Sequence, residues 1–290
     1  MASLSNPPYG SQMKIGSWNL LHGMAIPQGG TSAESLLRAA AMIDLDLLAL
    51  QEVDFFQDRS NTLDQTALVA QGMGAQFYDF TPAIFGTPGE KWIPAELTKV
   101  NKSVDKGQSS ELSVSSKRNL INQNSAYGIS LISKIPINEI CLLELGQAPL
   151  GIPLVIPNER KGKMRPRIIY VSDEPRIAQA AILENGITVI NTHLSFVPGI
   201  NVRQLRMIKK WAKSLPGKKI LIGDLNLPGK MPAKVLGWNQ LIDEKTYPSW
   251  KPRIQFDHAL SADFTASEVK RLQIPTLGIS DHLPIAFEIL

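Results

Sequence analysis

Polar side chains interrupt the apolar runs of this sequence at a few places, and their types are those of acid–base and cation chemistry. Asn19 ends Ile15-Gly16-Ser17-Trp18-Asn19, and Glu52 follows Leu47-Leu48-Ala49-Leu50-Gln51. His193 closes Val189-Ile190-Asn191-Thr192, while Asp224 and Asn226 follow Ile220-Leu221-Ile222-Gly223. Asp257 stands in Phe256-Asp257-His258, and Asp281-His282 opens the last apolar run. Burying such charges singly is costly, so a cluster of them implies a cation or an anion held among them. Glu52, Asp224, Asn226 and Asp281 are hard oxygen donors with no soft ligand beside them. That set suits Mg²⁺, Mn²⁺ or Ca²⁺ and argues against zinc or copper. His193 and His282 add groups that titrate near neutrality. Together these are the parts for metal-assisted attack of water on a phosphoester.

The residues can cooperate only if the strands carrying them end at one rim. β-rich runs at Lys14–Leu20, Leu47–Val53, Tyr127–Ser133, Ile137–Leu145, Ile177–Leu183, Thr188–His193, Lys219–Gly223, Gln255–Ser261 and Leu283–Leu290 predict strands. Asn185-Gly186 predicts a two-residue hairpin turn between the fifth and sixth of them. Helices are predicted from a Thr31 or Ser32 cap through Leu36, Leu37, Ala40 and Ile43, over Leu63 to Met73 with Gly72 or Gly74 closing it, and over Asn201–Leu215. Several strands are apolar on both faces, which points to a layered α/β sandwich in one domain. Residues 1–12 read as a flexible extension ahead of a domain spanning 13–290. Loop insertions are expected near 86–125 and 151–175.

Five blocks occur in order: Ser17-Trp18-Asn19, Gln51-Glu52-Val53-Asp54, Asn191-Thr192-His193-Leu194, Gly223-Asp224-Leu225-Asn226 and Ser280-Asp281-His282-Leu283-Pro284. This series resembles the endonuclease/exonuclease/phosphatase superfamily of DNase I-like, metal-dependent phosphoesterases, over about residues 14–290. The resemblance implies an α/β (α+β) fold, a four-layer αββα sandwich with the site at one rim. It implies Mg²⁺, with Mn²⁺ as a substitute, held chiefly by Glu52 with Asn19 supporting and Asp281 as a further metal or water ligand. Asp224 would orient or deprotonate the attacking water, and Asn226 would hold the phosphate or a ligand water. His282 would contact the scissile phosphate, with Asp257 accepting its other ring N–H. His193 would donate to a phosphate oxygen or help protonate the leaving group. Arg59, in a stretch similar to bacterial members, together with Tyr127 and Arg176, would reach substrate phosphate. Two departures from the exonuclease III-like pattern, Leu21 and the His193 block, argue against a dedicated abasic-site enzyme. His22 and His258 read as structural histidines.

The chain has 290 residues, 43% of them hydrophobic, and a formal charge of +4, from 30 Lys+Arg against 26 Asp+Glu. That composition excludes wholesale disorder. Its lone cysteine, Cys141, excludes an internal disulfide and a cysteine-based metal centre within the chain. The absence of a long apolar run and of a signal-like N-terminus predicts a cytoplasmic monomer without membrane insertion or a protein partner. Much of the basic excess lies in residues 86–125, with six basic against four acidic, and 151–176, with six against three. The substrate reading is therefore a phosphodiester, foremost in nucleic acid. A lipid or small-molecule head group is the alternative, and a non-catalytic phosphate-binding module is the reading from another class.

Overall fold

The computed structural model describes residues 12–96, 125–149, 151–160 and 163–290, the side chains of 152–171 excepted. β1 (Met13–Asn19) leads through α1 (Ala33–Ala41) to β2 (Leu47–Phe55), and α2 (Gln65–Met73) leads to β3 (Phe77–Gly86). β4 (Trp92–Pro94), β5 (Ala126–Ser133), β6 (Ile137–Gly146), β7 (Ile152–Arg160) and β8 (Lys163–Val171) follow. β9 (Arg176–Leu183), β10 (Ile187–His193), α3 (Ile200–Ala212), β11 (Lys218–Asp224) and α4 (Met231–Leu236) come next. β12 (Asn239–Gln240), β13 (Asp257–Ser261), β14 (Val269–Arg271) and β15 (Ile285–Ile289) complete the chain.

Two mixed sheets result, ordered β14-β15-β1-β2-β5-β3-β4 and β12-β13-β11-β10-β9-β6. Side chains alternate across each strand, so one strand serves two cores. Leu47 and Ala49 of β2 meet Ile15, Val189, Ile220, Ile222 and Phe287 between the sheets. Leu48 and Leu50 face outward onto Leu36, Ala40 and Val69 of the first helix pair. Ile190 and Leu221 of the other sheet pack outward on Leu205, Ile208 and Leu236 of α3 and α4. This is the αββα arrangement. No helix of the described residues is long and apolar enough to cross a membrane.

The helix ends follow from local chemistry. Ser32 caps α1 by accepting from the Ser35 amide at 3.1 Å. Gly74, at φ 66°, closes α2. Gly72 instead lets the two helices touch: a Cβ there would lie 2.5 Å from that of Ala40.

Two expectations are corrected and one strand escapes the sequence pattern. β3 is the strand that escapes, because Asp79 and Pro82 break its apolar run. Asp79 is paid for by the Gln179 side-chain amide at 2.7 Å and the Thr81 hydroxyl at 3.1 Å, and the pairing with β5 shifts between Pro82 and Ile84. Residues 152–171, expected as a loop, form the antiparallel ribbon β7–β8 in regular register. The β9–β10 turn spans Glu184, Asn185 and Gly186, with Gly186 at φ 81° closing it, so it has three residues and not two. The extension 1–12, except for Gln12, and residues 97–124 lie outside the described residues.

The sheets are pinned to each other by buried amides. Asn191 on β10 accepts from Gln51 Nε2 at 2.8 Å. It donates to the carbonyls of Leu50 at 3.0 Å and Ser130 at 2.8 Å. Leu50 O is available because the β2–β5 pairing shifts between Leu50 and Val53. Asn191→Leu orphans these groups, each costing about 1–3 kcal/mol. The expected loss in unfolding free energy is about 2–4 kcal/mol by urea denaturation; wild-type stability would remove the pinning role.

Candidate active site

The rim is set by strand register. Asn19 lies opposite Gln51 at the parallel ends of β1 and β2, and His193 lies opposite Asp224 at those of β10 and β11. Asp257, the first residue of β13, pairs antiparallel with Asp224. Asp281 and His282 arrive in the turn before β15. That turn is tied to β1 by Ser280 Oγ donating to Asn19 O at 2.6 Å and by Trp18 Nε1 donating to His282 O at 3.1 Å. Glu52 sits in the β2 bulge with φ 53°, a left-handed conformation that turns its side chain off the strand's alternation and into the cleft. Asn226 (φ 48°) and Ser280 (φ 68°) adopt the same unusual backbone region beside it.

A cleft of about 490 Å³ results. Nine of the sequence-predicted residues line it: Glu52, Arg59, Tyr127, Arg176, His193, Asp224, Asn226, Asp281 and His282. Asn19 and Asp257 stand behind them. Asn19 Nδ2 donates to Glu52 Oε1 at 2.9 Å and to Asp224 Oδ2 at 3.0 Å, while its amide oxygen accepts from the Leu21 amide. Asn19 thus holds the two carboxylates side by side. Asp224 Oδ1 accepts from the Asn226 backbone N–H at 2.9 Å.

The two histidines are held in opposite states. His282 Nδ1 donates to Asp257 Oδ2 at 2.8 Å, and Asp257, fully buried, also accepts from the Thr246 hydroxyl. Burial opposes charge on His282, but the Asp257, Asp224 and Asp281 carboxylates outweigh it and push the imidazole up to about 10. It is a cation at neutral pH. His193 is held well below the ordinary imidazole range by burial and by the positive charges of Arg176 and His282. It is neutral. Burial also raises the Glu52 and Asp281 carboxyls, and lifts Asp224 to about 7.

Burial is enough to raise these carboxyls, and a bound cation would offset that cost. Glu52, Asp224 and Asp281 offer only hard oxygens, which fits a divalent cation of the Mg²⁺ type. Asp224, Asp257 and His282 also place ligand atoms within 4.8 Å of one another. There, however, Asp257 Oδ2 is engaged by His282 and Thr246, and His282 is itself a cation, which makes it the worse fit.

Both arginines are already paired. Arg59 donates to Asp54 through Nε at 2.8 Å and Nη2 at 2.6 Å, and it lies over the Tyr127 ring, 5.5 Å from its centroid. Arg176 is clamped by Asp173 and Glu174, each 3.2 Å away. His258 is structural, its Nε2 donating to Leu227 O at 2.8 Å. His22 lines the cleft. Sequence reasoning missed Glu174, Phe196, Tyr247 and Phe256, which complete the walls. Tyr247 stands with its ring centroid 5.0 Å from that of His282. For Glu174, Phe196 and Phe256 the only sequence signal is closeness in the chain to residues already chosen, and Tyr247 has none.

Residues 16–282 match the model of the Endonuclease/Exonuclease/phosphatase family. Among curated proteins, none matches the chain by sequence. Solved structures of the same fold include an endonuclease/exonuclease/phosphatase family protein from Leptotrichia buccalis C-1013-b, with TM-score 0.58 and 14% identity over 96% of this chain and 99% of that one. They include a mannosyl-6-phosphatase from Bacteroides thetaiotaomicron VPI-5482, with TM-score 0.53 and 13% identity over 96% and 99%. An endonuclease/exonuclease/phosphatase from Beutenbergia cavernae DSM 12333 has TM-score 0.52 and 16% identity over 96% and 71%. At these identities the likeness concerns the fold.

Two outcomes follow from the electrostatics. Saturating Mg²⁺ or Mn²⁺ raises the melting temperature of EDTA-treated protein. Occupancy at 100 times Kd contributes about 2.7 kcal/mol, and each kcal/mol is worth about 2–4 °C in chains of 150–250 residues. Glu52→Ala loses that increment, and an equal rise in both proteins would refute the assignment. In Asp257→Asn, the pKa of His282 falls from about 10 toward the free imidazole value near 6.5, read by NMR titration. An unmoved pKa would show that Asp257 does not hold the charge.

Proposed function

The chain belongs to the endonuclease/exonuclease/phosphatase family, and we propose that it is a divalent-metal-dependent phosphodiesterase acting on nucleic acid. The observation that carries the chemistry is the pairing of a cationic His282 with a buried Asp224 across one cleft, their nearest atoms 3.8 Å apart. Asp224, lifted to about 7, is poised to take a proton from water near neutral pH. The water oxygen attacks phosphorus, one water proton passes to Asp224, and the bond to the leaving oxygen breaks with its electron pair going to that oxygen, which takes a proton from solvent. His282, cationic and held by Asp257, donates to a non-bridging phosphoryl oxygen where negative charge grows. Asn226 supports the phosphate or the water from the β11 end. Glu52 and Asp281, with Asn19 holding Glu52, are the residues for Mg²⁺ or Mn²⁺. The cation supplies Lewis-acid polarisation and charge neutralisation when bound.

The nucleic-acid assignment rests on charge. The β7–β8 ribbon joins β6 to β9 where Gly146 pairs with Arg176, at the rim of the cleft. Its sequence carries Arg160, Lys161, Lys163, Arg165 and Arg167 against Glu159, a composition that favours a polyanion over a neutral head group. A second reading, a small phosphorylated head group, is favoured by the walls of the cleft. Tyr127, Phe196, Tyr247 and Phe256 line a volume of small-ligand size. A protein of similar fold is named a mannosyl-6-phosphatase, which is in keeping with this second reading.

Nicking of supercoiled plasmid separates the two. The expected result is Mg²⁺-dependent nicking, abolished by EDTA and reduced about 10²–10⁴-fold in Asp224→Asn. Absence of nicking with retained hydrolysis of a sugar phosphate or a choline phosphodiester would overturn the nucleic-acid assignment. Wild-type turnover in folded Asp224→Asn would overturn the role of Asp224.

A further inference from the structure

We propose that Arg176 is a positioning residue that fixes His193 as the Nε2–H tautomer, making His193 a hydrogen-bond donor to substrate instead of a proton source. Arg176 Nη1 lies 3.1 Å from His193 Nδ1. A guanidinium nitrogen can only donate, so this contact is satisfied when Nδ1 presents its lone pair and the ring's single proton sits on Nε2. A carboxylate at this place would force the opposite tautomer, and a serine hydroxyl, which can donate or accept, would fix neither.

The guanidinium is built in, not draped. Its side chain is 5% exposed. Nε and Nη2 donate to Asp173 Oδ1 at 3.3 and 3.2 Å, and Glu174 Oε2 lies 3.2 Å from Nη2. Asp173 is itself fixed by the Ala148 amide at 2.8 Å and by Ser195 Oγ at 2.7 Å. Ser195 lies two residues beyond His193, so the clamp and its target share one strand end. Two carboxylates hold the guanidinium in place from the side away from His193 Nδ1. Its geometry is that of a lock on the imidazole, not of a free phosphate clamp.

The other ring nitrogen faces the chemistry. His193 Nε2 lies 3.6 Å from Asp224 Oδ2 and 4.0 Å from Glu52 Oε1, both beyond hydrogen-bond length. Asn226 Nδ2, 3.2 Å away, is also a donor and competes for the ring's one lone pair, but its amide has an acceptor in Leu194 O at 2.9 Å, and the charged guanidinium is the stronger donor of the two. Among the described residues, Nε2–H therefore meets no acceptor at bonding distance, and it points where an anionic oxygen would be bound. The burial and neighbouring positive charges that keep His193 neutral agree with this arrangement. The division of labour is then complete. One histidine donates as a cation set by a carboxylate, the other as a neutral ring set by a guanidinium. The substrate half of this inference rests on the phosphoesterase reading above; the tautomer half does not.

The test separates the halves. In metal-free, ¹⁵N-labelled protein, long-range ¹H–¹⁵N correlation of the four histidines, with His193→Gln for assignment, reports each ring's tautomer. His193 is expected to show a protonated-type Nε2 and an unprotonated Nδ1 near pH 7. Arg176→Lys, which retains a donor, should keep that pattern and most of the activity. Arg176→Met should collapse it to a tautomer mixture and lower kcat on a chromogenic phosphodiester about 10–100-fold, with KM little changed. A proton on Nδ1 in the wild-type protein overturns the proposal, whatever the activity. So does an Arg176→Met spectrum unchanged at His193, or a rise in KM at constant kcat, which would make Arg176 a substrate clamp. If Arg176→Met fails to fold, the wild-type and Arg176→Lys spectra still decide the tautomer. A protein inactive on every phosphoester but showing the Nε2–H pattern would sink the functional reading and leave the lock standing.

Discussion

Asn191 crosses the sandwich, and everything at the rim depends on that crossing. Its amide joins β10 to β2 and β5 through Gln51, Leu50 and Ser130, two residues before His193 and one before Glu52. Apolar contact between sheets is non-directional and tolerates sliding; a buried amide with three named partners does not. A slip of one residue would turn each rim side chain to the wrong face. Gln179 on β9 makes a second crossing to Asp79 on β3. With the sheets fixed, the left-handed backbones at Glu52, Asn226 and Ser280 can be sustained, since such strain persists only where the surroundings over-determine it.

On this frame the site is an exercise in assigning charge. Desolvation acts alike on every ionisable group in the cleft, disfavouring charge on each. What differs is the single neighbour. Asp257 behind His282 makes a cation, and Arg176 behind His193 keeps a neutral ring, although both imidazoles approach the same Asp224 oxygen. Two identical side chains thereby acquire different charge states from groups that stand one layer back.

That is also where legibility in the sequence ends. Asn19, Glu52, His193, Asp224 and His282 were visible because each is a polar residue ending an apolar strand, and strand ends are where a layered fold can place polarity. The helix caps were visible for the same local reason. β3 was not, because the partner that makes Asp79 tolerable, Gln179, lies 100 residues away. Nor could the sequence say that Arg59 and Arg176 are already paired. An arginine reads the same whether its guanidinium meets solvent, a phosphate or Asp54. Tyr247 and Phe256 are aromatic residues among others until the turn before β15 brings His282 beside Tyr247. Type and local spacing are written in the chain; the identity of a side chain's neighbour is a property of the register.

The same pairing bears on how an anionic substrate could enter. Arg59 is matched by Asp54 and Arg176 by Asp173 and Glu174, while Asp257 matches His282. Glu52, Asp224 and Asp281 then share His282 as their nearby cation, and burial outweighs its pull and holds all three above the ordinary carboxylate range. A phosphodiester brought to that surface adds a further negative charge at short distance, and little solvent is there to screen it. On the proposed reading, the divalent cation is therefore required for substrate binding as well as for the chemical step. The protein's own residues supply direction, through His282 and His193, but not the net charge. That division follows from the pairing of the arginines, whichever phosphoester the cleft accepts.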